Sequence, residues 1–442
     1  HPESARVQSA YFQLGKYNYR KKQYNKAIEW FAKVDIYDLN NEELSEFYFK
    51  RGYSYFENDS IENAKKDFFE IKDIDNKYAA PATYYFAHIS YTQKNYQTAL
   101  QHFNKLKANE SFGSVSVYYI AQIFYLQGKY DSAIVFASPL LDTATKRVKE
   151  LTKIVGESYY RTGRYKECIP YFERYKNFVG LARPEWYELG IAYYKTSTYN
   201  SAIPCFQNAA DGNDSLAQNA YYHLGDCFLK PSPYVGGNNA KIEAKNAFDK
   251  AYKLDFDKQI TEDAQFNYAR LCYDLAFSPF NEAVTALNDY IAKYPQSPRI
   301  DECYKYLVNV FLSTKNYKEA MKSIESMKLV NEEMRMAYQK LAFLYGLQLH
   351  SNSQFQDAIM YLNRSLRYQQ NRNYTALANY WKGEGYYILA DREGITFGYD
   401  SAMVCYKNFL NYPGAINYPE YYPAHYNLGY VYFKKQDYVQ SN

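Results

Sequence analysis

A small residue, followed in most cases four positions later by a large apolar one, recurs along the whole chain at a nearly constant interval. The small members are Ala27, Ala64, Ala99, Ala133, Cys168, Ala202, Ala244, Ala283, Ala320, Ala358, Ala402 and Ser441. They lie 34 to 37 residues apart as far as Ala202 and 37 to 44 apart from there on. A fixed period in this range is the signature of one small supersecondary unit stacked many times, so the 442 residues count repeats rather than independent globular domains.

Residues 186–206, WYELGIAYYKTSTYNSAIPCF, show what the unit is. Trp186, Leu189, Gly190 and Tyr193 follow the spacing that places side chains on one helical face, and Gly190 in that stripe lets a second helix come close. A polar turn, Lys195 to Thr198, precedes a second helix with Ala202 and Phe206 one turn apart. The unit is therefore a helical hairpin, and a hairpin that cannot bury its own face must stack on the next. Its pattern resembles the tetratricopeptide repeat, W-x2-L-G-x2-Y followed by A-x3-F. Leu14-Gly15 with Ala27 and Phe31, Gly52 and Tyr55 with Ala64 and Phe68, and Leu224-Gly225 with Phe228 and Phe248 keep most of it. The resemblance runs through eleven units and an incomplete twelfth. It implies an all-α, right-handed superhelical solenoid of antiparallel helix pairs that binds protein or peptide partners without catalysis.

On this reading residues 1–210 form about six regular units, and residues 211–442 form units with longer insertions and an incomplete last one, in one continuous solenoid. The extra residues at 230–241, 276–281, 349–354 and 390–400 are expected as loops between the two helices of a unit. Pro231, Pro233, Tyr234, Gly236 and Gly237 mark the first as a protruding loop. Pro139 is expected to kink or end its helix. The chain is expected to continue beyond Asn442, because it stops inside a second helix without a polar capping repeat.

Aromatic residues make up 19% of the chain, and 55 are tyrosine. Many come as doublets, among them Phe124-Tyr125, Tyr159-Tyr160 and Tyr193-Tyr194. The first member belongs to the packing stripe. The second belongs to another stripe about 100° round the helix, such as Tyr187, Ile191, Tyr194 or Tyr118, Gln122, Tyr125. Resemblance to tetratricopeptide proteins places that stripe on the concave surface, giving a candidate groove of Tyr84, Tyr91, Tyr118, Tyr125, Tyr160, Tyr187, Tyr194 and Tyr222. The alternative is a stripe packed against the neighbouring repeat. Polar middle members, Lys16, His88, Gln122, Glu157, Asp226 and Asn309, favour the open groove, since a buried stripe would have to supply each with a partner.

Net charge is +4 with no dense basic run, which argues against a nucleic-acid partner. No stretch of about 18 apolar residues is present, so no membrane-spanning helix is expected. The six cysteines are widely separated and read as buried free thiols. No phosphate-cradling glycine loop, metalloprotease helix or nucleophile elbow occurs, and the histidines are scattered, so the expectation is no enzyme, no cofactor and no metal. The Tyr-Pro-x-Ser link in YIAKYPQSPRIDECYKYLVNVF, residues 290–311, resembles tetratricopeptide subunits of bacterial outer-membrane machinery. The richness in Tyr, Asn and Lys is similar to that of Bacteroidetes envelope proteins. These likenesses imply a periplasmic or outer-membrane-associated scaffold, with a lipid anchor upstream of His1; a cytoplasmic location is the alternative. Aromatic faces also stack on sugars, so a glycan-binding platform in the same groove is the second functional expectation.

Overall fold

The structure, a computed structural model, describes residues 5–142, 146–230, 237–275, 281–394 and 397–441. They fall into two compact units, His1–Asp211 and Gly212–Asn442. Among the described residues there is no strand. The first unit holds α1 (Ala5–Arg20), α2 (Tyr24–Phe31), α3 (Asn41–Glu57), α4 (Ile61–Ile71), α5 (Ala79–Thr92), α6 (Tyr96–Lys105), α7 (Gly113–Leu126), α8 (Tyr130–Ala137), α9 (Val148–Arg161), α10 (Tyr165–Val179), α11 (Arg183–Lys195) and α12 (Tyr199–Ala209). The second holds α13 (Ser215–Leu229), α14 (Gly237–Leu254), α15 (Lys258–Asp274), α16 (Asn281–Lys293), α17 (Ile300–Ser313), α18 (Tyr317–Glu325), α19 (Glu332–Ser351), α20 (Phe355–Ser365), α21 (Arg372–Glu393), α22 (Phe397–Leu410), α23 (Tyr421–Lys434) and α24 (Tyr438–Ser441). Each odd-numbered helix packs on the even-numbered one that follows it.

The repeated positions build the core of every pair. From Ala27 to Ala402 each small residue is at most 1% exposed, and so is its partner four residues on, from Phe31 through Phe206 to Tyr406. The small residue lets the first helix approach, and the large one fills the space that the first helix leaves open at its glycine. A Cβ on Gly190 would stand 2.8 Å from the Phe206 ring, and one on Gly225 2.9 Å from Phe248. Glycine at these positions is thus a demand of helix–helix contact.

The turn inside most hairpins is three residues long, with its second residue left-handed. Lys22, Asp59, Lys94, Gly128, Gly163, Ser197, Lys315, Ser353 and Gln436 all have φ between 55° and 74°. Two residues later comes the residue that opens the second helix, usually tyrosine. It meets the tyrosine five positions before it, edge-on in Tyr19 with Tyr24, Tyr125 with Tyr130, Tyr160 with Tyr165 and Tyr194 with Tyr199 and tilted at 49° in Tyr91 with Tyr96, at centroid distances of 5.7 to 6.2 Å. Such edge-on pairs suit the aromatic quadrupole. They hold the turn closed.

Pro139 has the expected effect: α8 ends at Ala137, and Ser138–Leu140 form a 3-10 turn. The insertions in the second unit differ from expectation where they are described. Pro231, Pro233, Tyr234 and Gly236 lie outside the described residues, as does most of 276–281. Gly237, expected in the loop, instead opens α14, which runs from Gly237 to Leu254. Leu349–Ser351 and Ala390–Glu393 likewise continue α19 and α21. Leu349, Leu389 and Ala390 are each 4 to 6% exposed. Their burial carries the helices through polar stretches that read locally as turns, and α21 stops only at left-handed Gly394.

Candidate partner-binding face

Within each unit the first helices of consecutive hairpins touch directly: α1 meets α3 and α7 meets α9, while in the second unit α13 meets α15 and α19 meets α21. The aromatic stripe runs along these junctions. Its eight tyrosines are not open to solvent as the polar middle residues led one to expect. Tyr118 is buried, and Tyr84, Tyr91, Tyr125, Tyr160, Tyr187, Tyr194 and Tyr222 are half-buried. The reason is that the polar residues between them have partners. The Lys16 ammonium donates to Glu46 at 2.8 Å, Tyr125 donates to Glu157, and His88 lies between the rings of Tyr84 and Tyr119. The doublets divide less sharply than expected for the same reason. Tyr159, stacked on Tyr171, and Tyr160, edge-on to Tyr165 and Phe172, are both half-buried.

Part of the stripe opens into clefts. In the first unit, Tyr118, Gln122 and Tyr125 of α7 face Lys149, Lys153 and Glu157 of α9 across a cleft of about 400 Å³. The Arg147 guanidinium lies 4.3 Å from the Tyr118 ring centroid. Burial and the Glu157 carboxylate push the Tyr125 hydroxyl up from its ordinary pKa. In the second unit, Tyr222, Glu262, Asp263, Ser297 and Arg299 line a cleft of about 510 Å³. Asp263 accepts from Tyr222 and pairs with Arg299 at 2.5 Å. Ser297, from the Tyr-Pro-x-Ser link, is 8% exposed and shares a 2.8 Å hydrogen bond with Tyr290, so the link also has a packing role. Tyr118 and Tyr125 are thus brought into one site and Tyr222 into another. Tyr84 and Tyr91 turn instead to Phe112 and Tyr119, and Tyr187 to Phe206.

Behind the first cleft sits a cluster that the repeat pattern did not flag. Glu157 of α9 and Glu185 and Glu188 of α11 are 8 to 9% exposed. Lys153 donates to Glu185 at 2.5 Å and lies 3.6 Å from Glu157, while Arg161 donates to Glu188 at 2.9 Å. Burial, reinforced by the Glu157 charge, raises the Glu188 carboxyl to about 7. Charged residues at stripe positions on three successive helical turns and the facing helix were the available signal. His102 packs edge-on to Phe86, and all six cysteines are buried and free. Among the described residues no helix is long and apolar enough to cross a membrane.

Comparison with known proteins returns the same repeat. Residues 8–35, 187–230 and 263–297 match models of the tetratricopeptide repeat, and residues 92–175 match the model of anaphase-promoting complex, cyclosome, subunit 3. No curated protein matches. Among solved structures, the C-terminal part of a TPR repeat-containing protein from Cytophaga hutchinsonii is 18% identical over 62% of this chain and 99% of that one, with a TM-score of 0.36. A tetratricopeptide repeat protein from Parabacteroides merdae is 14% identical over 60% of this chain and 98% of its own, at 0.31. A complex of Naa15/Naa10 bound to HypK-THB matches 98% of this chain and 62% of that one at 13% identity and a TM-score of 0.41.

Proposed function

We propose, on the premise that the chain is a tetratricopeptide repeat protein, that it is a scaffold holding an extended or helical peptide segment of a protein partner against the first-helix face. Protein–protein interaction is the general work of such repeats. The observation that carries it is the clefts where the aromatic stripe opens, at Tyr118 and Tyr125 in the first unit and at Tyr222 in the second. Each pairs tyrosine rings with hydrogen-bonding carboxylates and a cation, the mixture of rigid area and polar anchoring that peptide recognition uses. These rings are tilted against neighbours, Tyr125 on Tyr130 and Tyr118 on Tyr119, rather than lying flat and open as sugar stacking needs. That favours a peptide over a glycan. The likeness of residues 290–311 to outer-membrane tetratricopeptide subunits supports a place in a bacterial envelope complex, either periplasmic or outer-membrane-associated.

The test is photo-crosslinking in cells with the full chain, placing the crosslinking amino acid at Tyr118, Tyr125 or Tyr222, and at exposed Phe69 or Val135 on second helices. Adducts to one protein at the first three sites and not at the last two are expected. Adducts confined to Phe69 or Val135 would move the binding face to the second helices. Fractionation of the same cells reports the compartment, and an adduct-bearing chain in the cytosol would refute the envelope assignment.

A further inference from the structure

We propose that the first-unit cleft seats a large uncharged apolar side chain of its peptide occupant, leucine, isoleucine, methionine or phenylalanine, between α7 and α9. This rests on the peptide-scaffold reading above and specifies its chemistry.

Charge in the cleft is already balanced. Among the described residues that line it, Lys149 and Lys153 are matched by Glu150 and Glu157, at 3.9 Å between Lys149 and Glu150 and 3.6 Å between Lys153 and Glu157. Lys153 is held further by Glu185 at 2.5 Å. An ionic side chain entering between these walls would meet no net charge of opposite sign, and would have to part an existing pair or give up its water without a partner. A neutral occupant disturbs nothing.

The rest of the wall is mostly carbon. Tyr125 donates its hydroxyl to Glu157, and the Lys153 ammonium lies 5.6 Å from the Tyr175 ring centroid, so the polar groups beside these rings are engaged within the protein. The Tyr118, Tyr125 and Tyr175 rings line the cleft together with Leu126 and Ile154. Ile154 is 6% exposed and forms part of the inner side, whereas Leu126, the last residue of α7, stands 50% exposed at the rim. An apolar side chain from a partner would take the exposed Leu126 surface out of water as it buried its own. At about 400 Å³ the cleft has room for one such side chain and the main chain that carries it. Gln122, half-buried on α7 between Tyr118 and Tyr125, adds an amide that both donates and accepts, which is what a peptide main chain also does.

Panning the full chain against a phage-displayed library of random twelve-residue peptides tests this, followed by affinity measurement on the recovered peptides. The expected result is an enriched family with leucine, isoleucine, methionine or phenylalanine at one fixed position. Changing that peptide residue to alanine should weaken binding roughly tenfold or more, and Leu126→Ser in the protein roughly threefold or more. Affinity should change by less than about threefold from low to high ionic strength, and Gln122→Lys, which places an unmatched charge in the wall, should weaken the same peptides. Both protein positions are partly exposed, and helical content by circular dichroism checks the fold of each variant. Enriched peptides fixed by a charged residue, with affinity that collapses in salt and ignores Leu126→Ser, would overturn the apolar anchor while leaving the peptide face intact. Apolar-anchored peptides indifferent to both protein variants would overturn this cleft as the seat. Failure to enrich any peptide would overturn both readings.

Discussion

Glu188 offers the sharpest quantitative test of how the first unit is held together. Its carboxyl stands at about 7 instead of its ordinary value of 4.5, chiefly because it is buried and next because Glu157 is close. At about 1.4 kcal/mol for each tenfold change in proton affinity, ionising Glu188 costs the folded state roughly 3 kcal/mol more than the unfolded one. The sign follows from the raised value. Below about pH 4.5 both states hold the proton and the group has no effect. Between about pH 4.5 and 7 the unfolded state has released a proton that the folded state still holds, so stability falls across that window and levels off above it. Glu188→Gln keeps the acceptor for Arg161 and has no proton to lose. Hydrogen exchange over α9–α11, compared between variant and wild type at matched pH so that intrinsic exchange chemistry cancels, is the suitable assay for a repeat array that opens locally. Protection in the variant should match wild type near pH 4 and exceed it by roughly a few hundredfold near pH 8. Equal protection at both pH values would mean that Glu188 is solvated or fully neutralised by Arg161, and that burial does not hold its proton.

Three other outcomes follow from the packing. Gly190→Ala puts a Cβ 2.8 Å from the Phe206 ring and should destabilise by about 1 to 3 kcal/mol in a thermal or urea melt. Ser197→Gly and Lys94→Gly, at left-handed turn positions, should each stabilise by about 1 kcal/mol, while Gly163→Ala should cost a similar amount; melts that move the other way would show that side-chain contacts outweigh backbone strain. A double-mutant cycle between Tyr160 and Tyr165 should return a coupling of about 0.5 to 1.5 kcal/mol, and additive single-mutant losses would mean that the pair does not clamp its turn.

The hairpin core was legible in the sequence because two residue sizes at one spacing carry it: Ala202 and Phe206 opposite Gly190 can pack in only one way, and the pattern repeats at buried positions throughout. The second stripe was harder to read. A lysine or glutamate within a tyrosine row looks like a mark of solvent, yet Lys16 and Glu157 are satisfied by residues about thirty positions away, a distance over which local periodicity says nothing. The tyrosine pairs across the turns were visible as a spacing of five, and went unread because it matches neither a helix nor a strand. In the second unit Leu349 and Leu389 pull polar segments into helix through tertiary burial, against their local turn propensity.

The buried thiols have a bearing on experiment. In the first unit Cys168 and Cys205 occupy the second helices of neighbouring hairpins, and in the second unit Cys272, Cys303 and Cys405 occupy α15, α17 and α22. Burial pushes the Cys168, Cys205, Cys272 and Cys303 thiols up to about 12, so each is nearly devoid of thiolate while its hairpin is closed. An alkylating reagent therefore modifies a given cysteine only when that hairpin comes apart. The rate at each site, read by mass spectrometry, would give an opening frequency for separate segments of an unmutated chain, and show from which hairpins the array begins to unzip.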